Sequence, residues 1–231
     1  MSSAYGGAGQ PRIEPMFDPQ PPDAAPDAAP DTTPNAGPII GIDPGVSRCG
    51  YGVVTRLSGG RFAAVAYGVI TTSPSDPMPE RLLSIATELD ALVAEYKPSG
   101  MAVERVLFSN NARTAMSVGQ ANGLALVAAA RHLVPVVEYS PNEVKLAVCG
   151  DGTADKAAVQ AMVTRLLGLT EIPKPADAAD ALALALTYGW SGRLRAQTGE
   201  SSGVVTALDK AVQRAIDRDS ALNTQKGSVV A

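Results

Sequence analysis

Four carboxylates stand at the edges of apolar segments in this 231-residue chain. Asp43 closes the run Ile39-Ile40-Gly41-Ile42 and is followed by Pro44-Gly45, and Glu104 closes Met101-Ala102-Val103. Asp177 and Asp180 open the segment Asp-Ala-Ala-Asp that continues Ala-Leu-Ala-Leu-Ala-Leu. Each has an ordinary explanation when taken alone. Asp43 can satisfy turn amides, and acids in the first turn of a helix offset its dipole. Four acids converging on one spot are different, because like charges within ~5 Å repel unless protons or a divalent cation neutralise them. Oxygen donors with no His or Cys in the pattern suit Mg²⁺, with Mn²⁺ as a substitute. Two such ions about 4 Å apart clamp the attacking and leaving oxygens of an in-line phosphoryl transfer, so the chemistry points to a phosphodiester.

The elements that must position these acids follow from patterning. The Ile-rich run before Asp43 fits a buried strand ended by Pro-Gly. Residues 50–57 and 62–72 are β-rich and are joined by Ser58-Gly59-Gly60, which predicts a hairpin. Pro79 opens a helix over 79–96, with Leu82, Ile85, Ala86, Leu89, Leu92 and Val93 on one face. A short strand ends at Glu104. A long helix covers 109–132 with Ser109 or Asn110 as its cap, and a strand covers 135–139. Helices follow at 141–148, 154–167 and 177–190. Strands alternating with helices imply an α/β fold, with parallel pairing in a sheet covered on both faces and an antiparallel hairpin at one edge. Ligands bind such sheets at the carboxyl ends of the strands, where Asp43 and Glu104 are expected.

Composition divides the chain. Residues 1–38 hold nine of the 18 prolines and, with five acids against Arg12 alone, carry the whole net charge of −4. From Pro22 the sequence repeats as PDAA-PDAA-PDTT, a low-complexity tail expected to be disordered. It has no basic segment followed by an apolar one, so it does not read as a secretory signal. No apolar run is long enough for a membrane span, and Cys49 and Cys149 match no metal spacing, so the expected setting is cytoplasmic with reduced thiols. A pI near 5 argues against a broadly basic nucleic-acid binder without excluding a local basic face. Residues 39–190 are the expected folded domain. Residues 191–231 read as a polar linker and an amphipathic helix with Val205, Leu208, Val212 and Ile216 at helical spacing.

Four segments together, IIGIDPGVSRCGYGVV, VERVLFSNNARTAMSVGQANGLALVAAARH, VKLAVCGDGTADKAAVQAMV and DAADALALAL, resemble the RuvC family of Holliday-junction resolvases over roughly residues 39–190. The resemblance implies a ribonuclease-H-like mixed sheet flanked by helices, a homodimer, and symmetric, Mg²⁺-dependent nicking of four-way DNA junctions during recombination and repair. It places the family's catalytic and metal-binding acids on Asp43, Glu104, Asp177 and Asp180, and two functional lysines on Lys145 and Lys156. A base-contacting aromatic of the family falls at Val106-Leu107-Phe108, one place later than in some relatives, which puts Phe108 or Leu107 in that role. The small-residue stretch 119–130 becomes a candidate dimer interface. A branch-migration complex of RuvA and RuvB type is the implied partner, with no membrane.

The secondary residues have plainer readings beside these. Lys145 and Lys156 can be solvated charges, although an acidic metal site repels DNA and needs nearby cations to hold phosphates. Arg105, Arg113 and Arg48 are candidates for the same task. Phe108 can be a hydrophobic staple, and 119–130 can be core packing. Two other functions stay in view. GIDPG also looks like the first phosphate loop of actin-like and sugar-kinase ATPases, which need a second such domain. A non-catalytic junction-binding module would keep the fold but lose a carboxylate, and none is missing.

Overall fold

The computed structural model describes residues 37–106 and 112–198, with side chains described to 106 and from 115 to 191. The elements are β1 (Ile39–Asp43), β2 (Arg48–Arg56), β3 (Phe62–Thr71), α1 (Met78–Tyr96), β4 (Gly100–Glu104), α2 (Ala112–Arg131), β5 (Val136–Tyr139), α3 (Pro141–Cys149), α4 (Lys156–Leu167) and α5 (Ala176–Thr198). The five strands form one mixed sheet in the order β3-β2-β1-β4-β5. β1–β2 and β2–β3 are antiparallel, whereas β1–β4 and β4–β5 are parallel. The hairpin edge and the parallel centre are those expected from the pattern, and this is a ribonuclease-H-like arrangement.

Both faces of the sheet are covered, and strand alternation divides the core. Ile40, Ile42, Val53, Met101 and Val103 pack toward Ile85 and Leu89 of α1 and Ala121 and Ala125 of α2. Ile39, Val54, Ala102 and Val137 pack toward α3, α4 and α5. α5 is the central helix of that second layer. Residues 181–186 are all buried, which explains why its Ala-Leu alternation lacks a polar face. Gly41 allows the close seat: a Cβ there would stand 2.0 Å from the Ala181 carbonyl oxygen.

One difference from the sequence expectations has a physical cause. α5 runs on to Thr198, past Trp190 and into the stretch read as a polar linker. Arg, Leu, Ala and Gln are good helix formers, so polarity alone does not end the helix, and the Ser191 hydroxyl donates to the Thr187 carbonyl at 2.8 Å. The small-residue stretch of α2 has two sides. Ala121, Ala125, Ala128 and Ala129 are buried, whereas Cβ atoms at Gly119 and Gly123 would meet nothing within 4 Å. Both cysteines are free, and Cys49 is buried while Cys149 is only partly so. Among the described residues no helix is long and apolar enough to cross a membrane. The repeat tail and the segment 204–222 lie outside the described residues.

Candidate active site

The site begins with strand register. β1 and β4 run parallel with Ile39 opposite Gly100 and Ile42 opposite Val103, so Asp43 and Glu104 end neighbouring strands side by side. They share parity with Gly41 and Ala102, the residues that face the α5 layer. Both carboxylates therefore leave the sheet toward the start of α5. On the other side of β1, Asp43 pairs with Gly50 of β2. A Cβ on Gly50 would stand 2.2 Å from the Asp177 carbonyl oxygen and 3.1 Å from the Asp177 Cβ. The bare backbone at Gly50 is what lets the first turn of α5 sit against the end of β1. Asp177 and Asp180 then lie on one helix face, three residues apart.

Electrostatics record the convergence. Burial first, then a hydrogen bond with Glu104 and the charges of Glu104, Asp180 and Asp177, together push the Asp43 carboxyl up to about 8. Two cations lean in from the solvent side. The Arg48 guanidinium meets Asp177 Oδ2 at 2.5 Å. Lys156 Nζ donates to Asp180 Oδ2 at 2.7 Å, a hydrogen bond that raises the lysine above its usual range. Lys156 reaches inward because it begins α4, whose N-cap Asp155 accepts from the Ala158 amide.

The other candidates are arranged differently. Lys145 lies on α3, where its charge acts on Asp151 and Cys149, and it is not among the charges that raise Asp43. Arg105 is engaged in the scaffold: it donates to the Glu138 carbonyl at 2.9 Å and stands 3.7 Å from Glu143. Arg113 falls in α2, but its side chain is not among those described, and Leu107 and Phe108 lie outside the described residues.

One supporting residue escaped the sequence reading. Asn122, only 5% exposed, donates from Nδ2 to the Glu104 carbonyl at 3.1 Å and to Glu138 Oε1 at 3.2 Å. It ties the end of β4, and so Glu104, to α2. A lone amide inside the small-residue stretch Gly-Gln-Ala-Asn-Gly was the available signal.

The donor set is all carboxylate oxygen, which fits a hard divalent cation. Among the described residues no three His, Cys, Asp or Glu side chains already form a metal cluster, and Asp177 and Asp180 are instead each turned onto a cation. Such a site can gather cations, hold a phosphate between them and the basic rim, and support hydrolysis.

Comparison with known proteins gives a consistent result. Residues 39–188 match the family model for crossover junction endodeoxyribonuclease RuvC. The chain is 51% identical over 173 residues to a crossover junction endodeoxyribonuclease RuvC of Salinispora arenicola, covering 75% of this chain and 95% of the relative. It is 47% identical over 176 residues to that of Pseudarthrobacter chlorophenolicus, covering 75% and 92%. Among solved structures it resembles Thermus thermophilus RuvC in complex with Holliday junction substrate, at 39% identity and a TM-score of 0.65, covering 68% of this chain and 96% of that one. A yeast mitochondrial Holliday junction resolvase, 15% identical with a TM-score of 0.51 over 71% of this chain and 85% of its own, shares the fold.

Proposed function

The chain belongs to the RuvC family of crossover junction endodeoxyribonucleases, and on that premise we propose that Asp43, Glu104, Asp177 and Asp180 form its hydrolytic centre for nicking four-way (Holliday) DNA junctions. The observation that carries this reading is the Asp43 carboxyl, hydrogen-bonded to Glu104 and raised by the charges of all three other acids. A structural role alone would not gather four acids at the mouth of a core.

Nucleases of this family are metal-dependent, and the all-oxygen donor set favours Mg²⁺, with Mn²⁺ as a substitute. When bound, a pair of such ions would polarise the attacking water and neutralise charge on the leaving 3′ oxygen. The residues of the chain do the remaining work. Asp43, at the centre of the four, would hold these ions together with Glu104, Asp177 and Asp180. Lys156 supplies positive charge beside Asp180, where the scissile phosphate must approach. Family membership adds Lys145 and Arg113 as candidate phosphate contacts and Phe108 as the candidate base contact. Arg105 supports the end of β4 and contributes at most a peripheral phosphate contact. The product is a nick bearing a 5′-phosphate.

Symmetric cutting requires two sites related by a two-fold axis. The open face of α2 is the candidate seam: Gly119 and Gly123 are uncovered, and beside them Met116 is 68% and Val127 48% exposed. A homodimer through that face would cut opposite strands of one junction in the cytoplasm. A branch-migration complex of RuvA and RuvB type is the partner that family membership suggests. The ATPase and non-catalytic alternatives are not favoured, since the family match spans the sheet and every acid is present.

The test is a nicking assay on a four-way junction and a linear duplex of the same sequence, with Mg²⁺ and with EDTA. Paired nicks on the junction alone, only with Mg²⁺, are expected. Equal cutting of the duplex would rule the reading out.

A further inference from the structure

Three arrangements offset most of the negative charge of the acidic cluster before any metal is present. Asp43 and Glu104 share a hydrogen bond, Lys156 holds Asp180, and Arg48 holds Asp177. The family resemblance already assigns Lys156, but gives Arg48 no comparable role. Arg48 opens β2, two residues before the Gly50 that faces Asp43 across the sheet. Its side chain is 51% exposed while that of Asp177 is 26% exposed, so the guanidinium lies over the carboxylate on the side from which DNA must come.

An arginine there is electrostatically misplaced for the helix, because the N-terminus of α5 already carries partial positive charge. Among the described residues its charge partner is the Asp177 carboxylate. The same planar fork that fits a carboxylate also fits a phosphate. A divalent cation on Asp177 removes the reason for Arg48 to stay, and the half-exposed side chain has solvent, or a DNA strand, to turn to.

We propose that Arg48 is a positioning residue with two successive partners: it neutralises Asp177 until a divalent cation takes that carboxylate, and it then binds a phosphate of the strand to be cut. This rests on the assignment of Asp177 to the metal site. Metal and DNA then bind cooperatively, since each favours the state in which the Arg48–Asp177 pair is open, and the coupling is reciprocal. The protein grips its substrate fully only when it is armed to cut it.

Two measurements on the full chain test this without any cleavage. The first is metal affinity in the absence of DNA, read as the shift of thermal unfolding with Mg²⁺. Removing a competing exposed ion pair in Arg48→Gln should tighten apparent Mg²⁺ binding by about two- to five-fold, and Arg48→Lys should return it toward wild type. The second is the salt dependence of junction binding, in EDTA and in Ca²⁺. In Ca²⁺ the slope of log K against log salt should be shallower for Arg48→Gln than for wild type by about 0.9, the value for one phosphate contact. In EDTA the two proteins should have the same slope. Asp177→Asn supplies an independent arm: with its partner neutral, Arg48 is free already, and the EDTA slope should steepen by about one contact.

Mg²⁺ affinity that is unchanged or weaker in Arg48→Gln would make Arg48 a pin for α5 and overturn the proposal. So would a slope difference of equal size in EDTA and Ca²⁺, or an Asp177→Asn slope no steeper than wild type. A wild-type protein that binds Mg²⁺ and junctions as expected but never nicks would instead count against the hydrolytic centre and leave Arg48's two partners standing.

Discussion

The carbonyl oxygen of Asp177 occupies the space in which a side chain on Gly50 would begin, 2.2 Å from that ideal Cβ. Gly50 is paired with Asp43, so a single missing methyl sets the distance between the first of the four site acids and the last two. Gly50→Ala forces the start of α5 outward by about 1 Å, since ordinary contacts begin near 3.4 Å. Overpacking of this kind costs about 1–3 kcal/mol of stability, and misplacement by about 1 Å lowers nicking by about a hundred-fold. Gly152→Ala, which meets only the Asn142 carbonyl at 3.5 Å, should alter neither. Thermal melts and single-turnover nicking check both variants, and wild-type activity in Gly50→Ala would refute the steric account.

Asp43 predicts a dependence on pH. Its folded carboxyl is raised from 3.8 to about 8, so the folded chain keeps a proton that the unfolded chain releases. Metal-free stability is therefore fullest below the lower of these values and falls as pH rises between them, by about 1.4 kcal/mol per pH unit. Asp43→Asn removes the dependence due to this group. It should melt higher than wild type at pH 8 without metal, differ little near pH 4, and fail to nick while still binding junctions. Mg²⁺ should raise the wild-type melting temperature more at pH 8 than at pH 6. Parallel melting profiles for the two proteins across this range would show that the Asp43 carboxyl is not raised on folding.

Much of this arrangement was legible in the sequence because strand ends are punctuated locally. Pro44-Gly45 stops β1 just after Asp43, and the parity of Ile39, Gly41 and Asp43 follows from alternation alone. The partnerships across layers were not legible. Nothing near Arg48 in the sequence names Asp177, 129 positions away, and Asn122 reads as one polar residue in a run of small ones. The extent of α5 was also hidden, because a polar segment continues a helix as readily as it leaves one when its residues are good helix formers. Conversely, the apolar stripe of 79–96 was decisive, since Ile85, Leu89, Leu92 and Val93 are the buried face of α1.

Asn122 links α2 to the site through the Glu104 carbonyl. Asn122→Ala leaves that carbonyl and the Glu138 carboxylate without their amide donor. Loss of a buried donor of this kind costs about 1–3 kcal/mol. Because the bond orients the strand end and not the DNA, kcat for nicking should drop by about ten-fold or more while junction affinity in Ca²⁺ stays within about two-fold. An equal loss in binding and turnover would mean that Asn122 supports the whole layer and not Glu104 in particular.

Lys145 tests how far the basic rim extends. Unlike Lys156 it is not paired with one of the four acids, and its field acts on Asp151 and Cys149 at the end of α3. If it holds a phosphate, Lys145→Ala lowers junction affinity and makes the slope of log K against log salt shallower by about 0.9, one contact. Because the residue is not tied to the cluster, this loss should be the same in EDTA and in Ca²⁺. Asp151→Asn, which relieves Lys145 of a neighbouring negative charge, should strengthen junction binding slightly without changing the slope. An unchanged slope in Lys145→Ala would remove α3 from the DNA-binding face and leave phosphate contact to the residues around α4 and the end of β1.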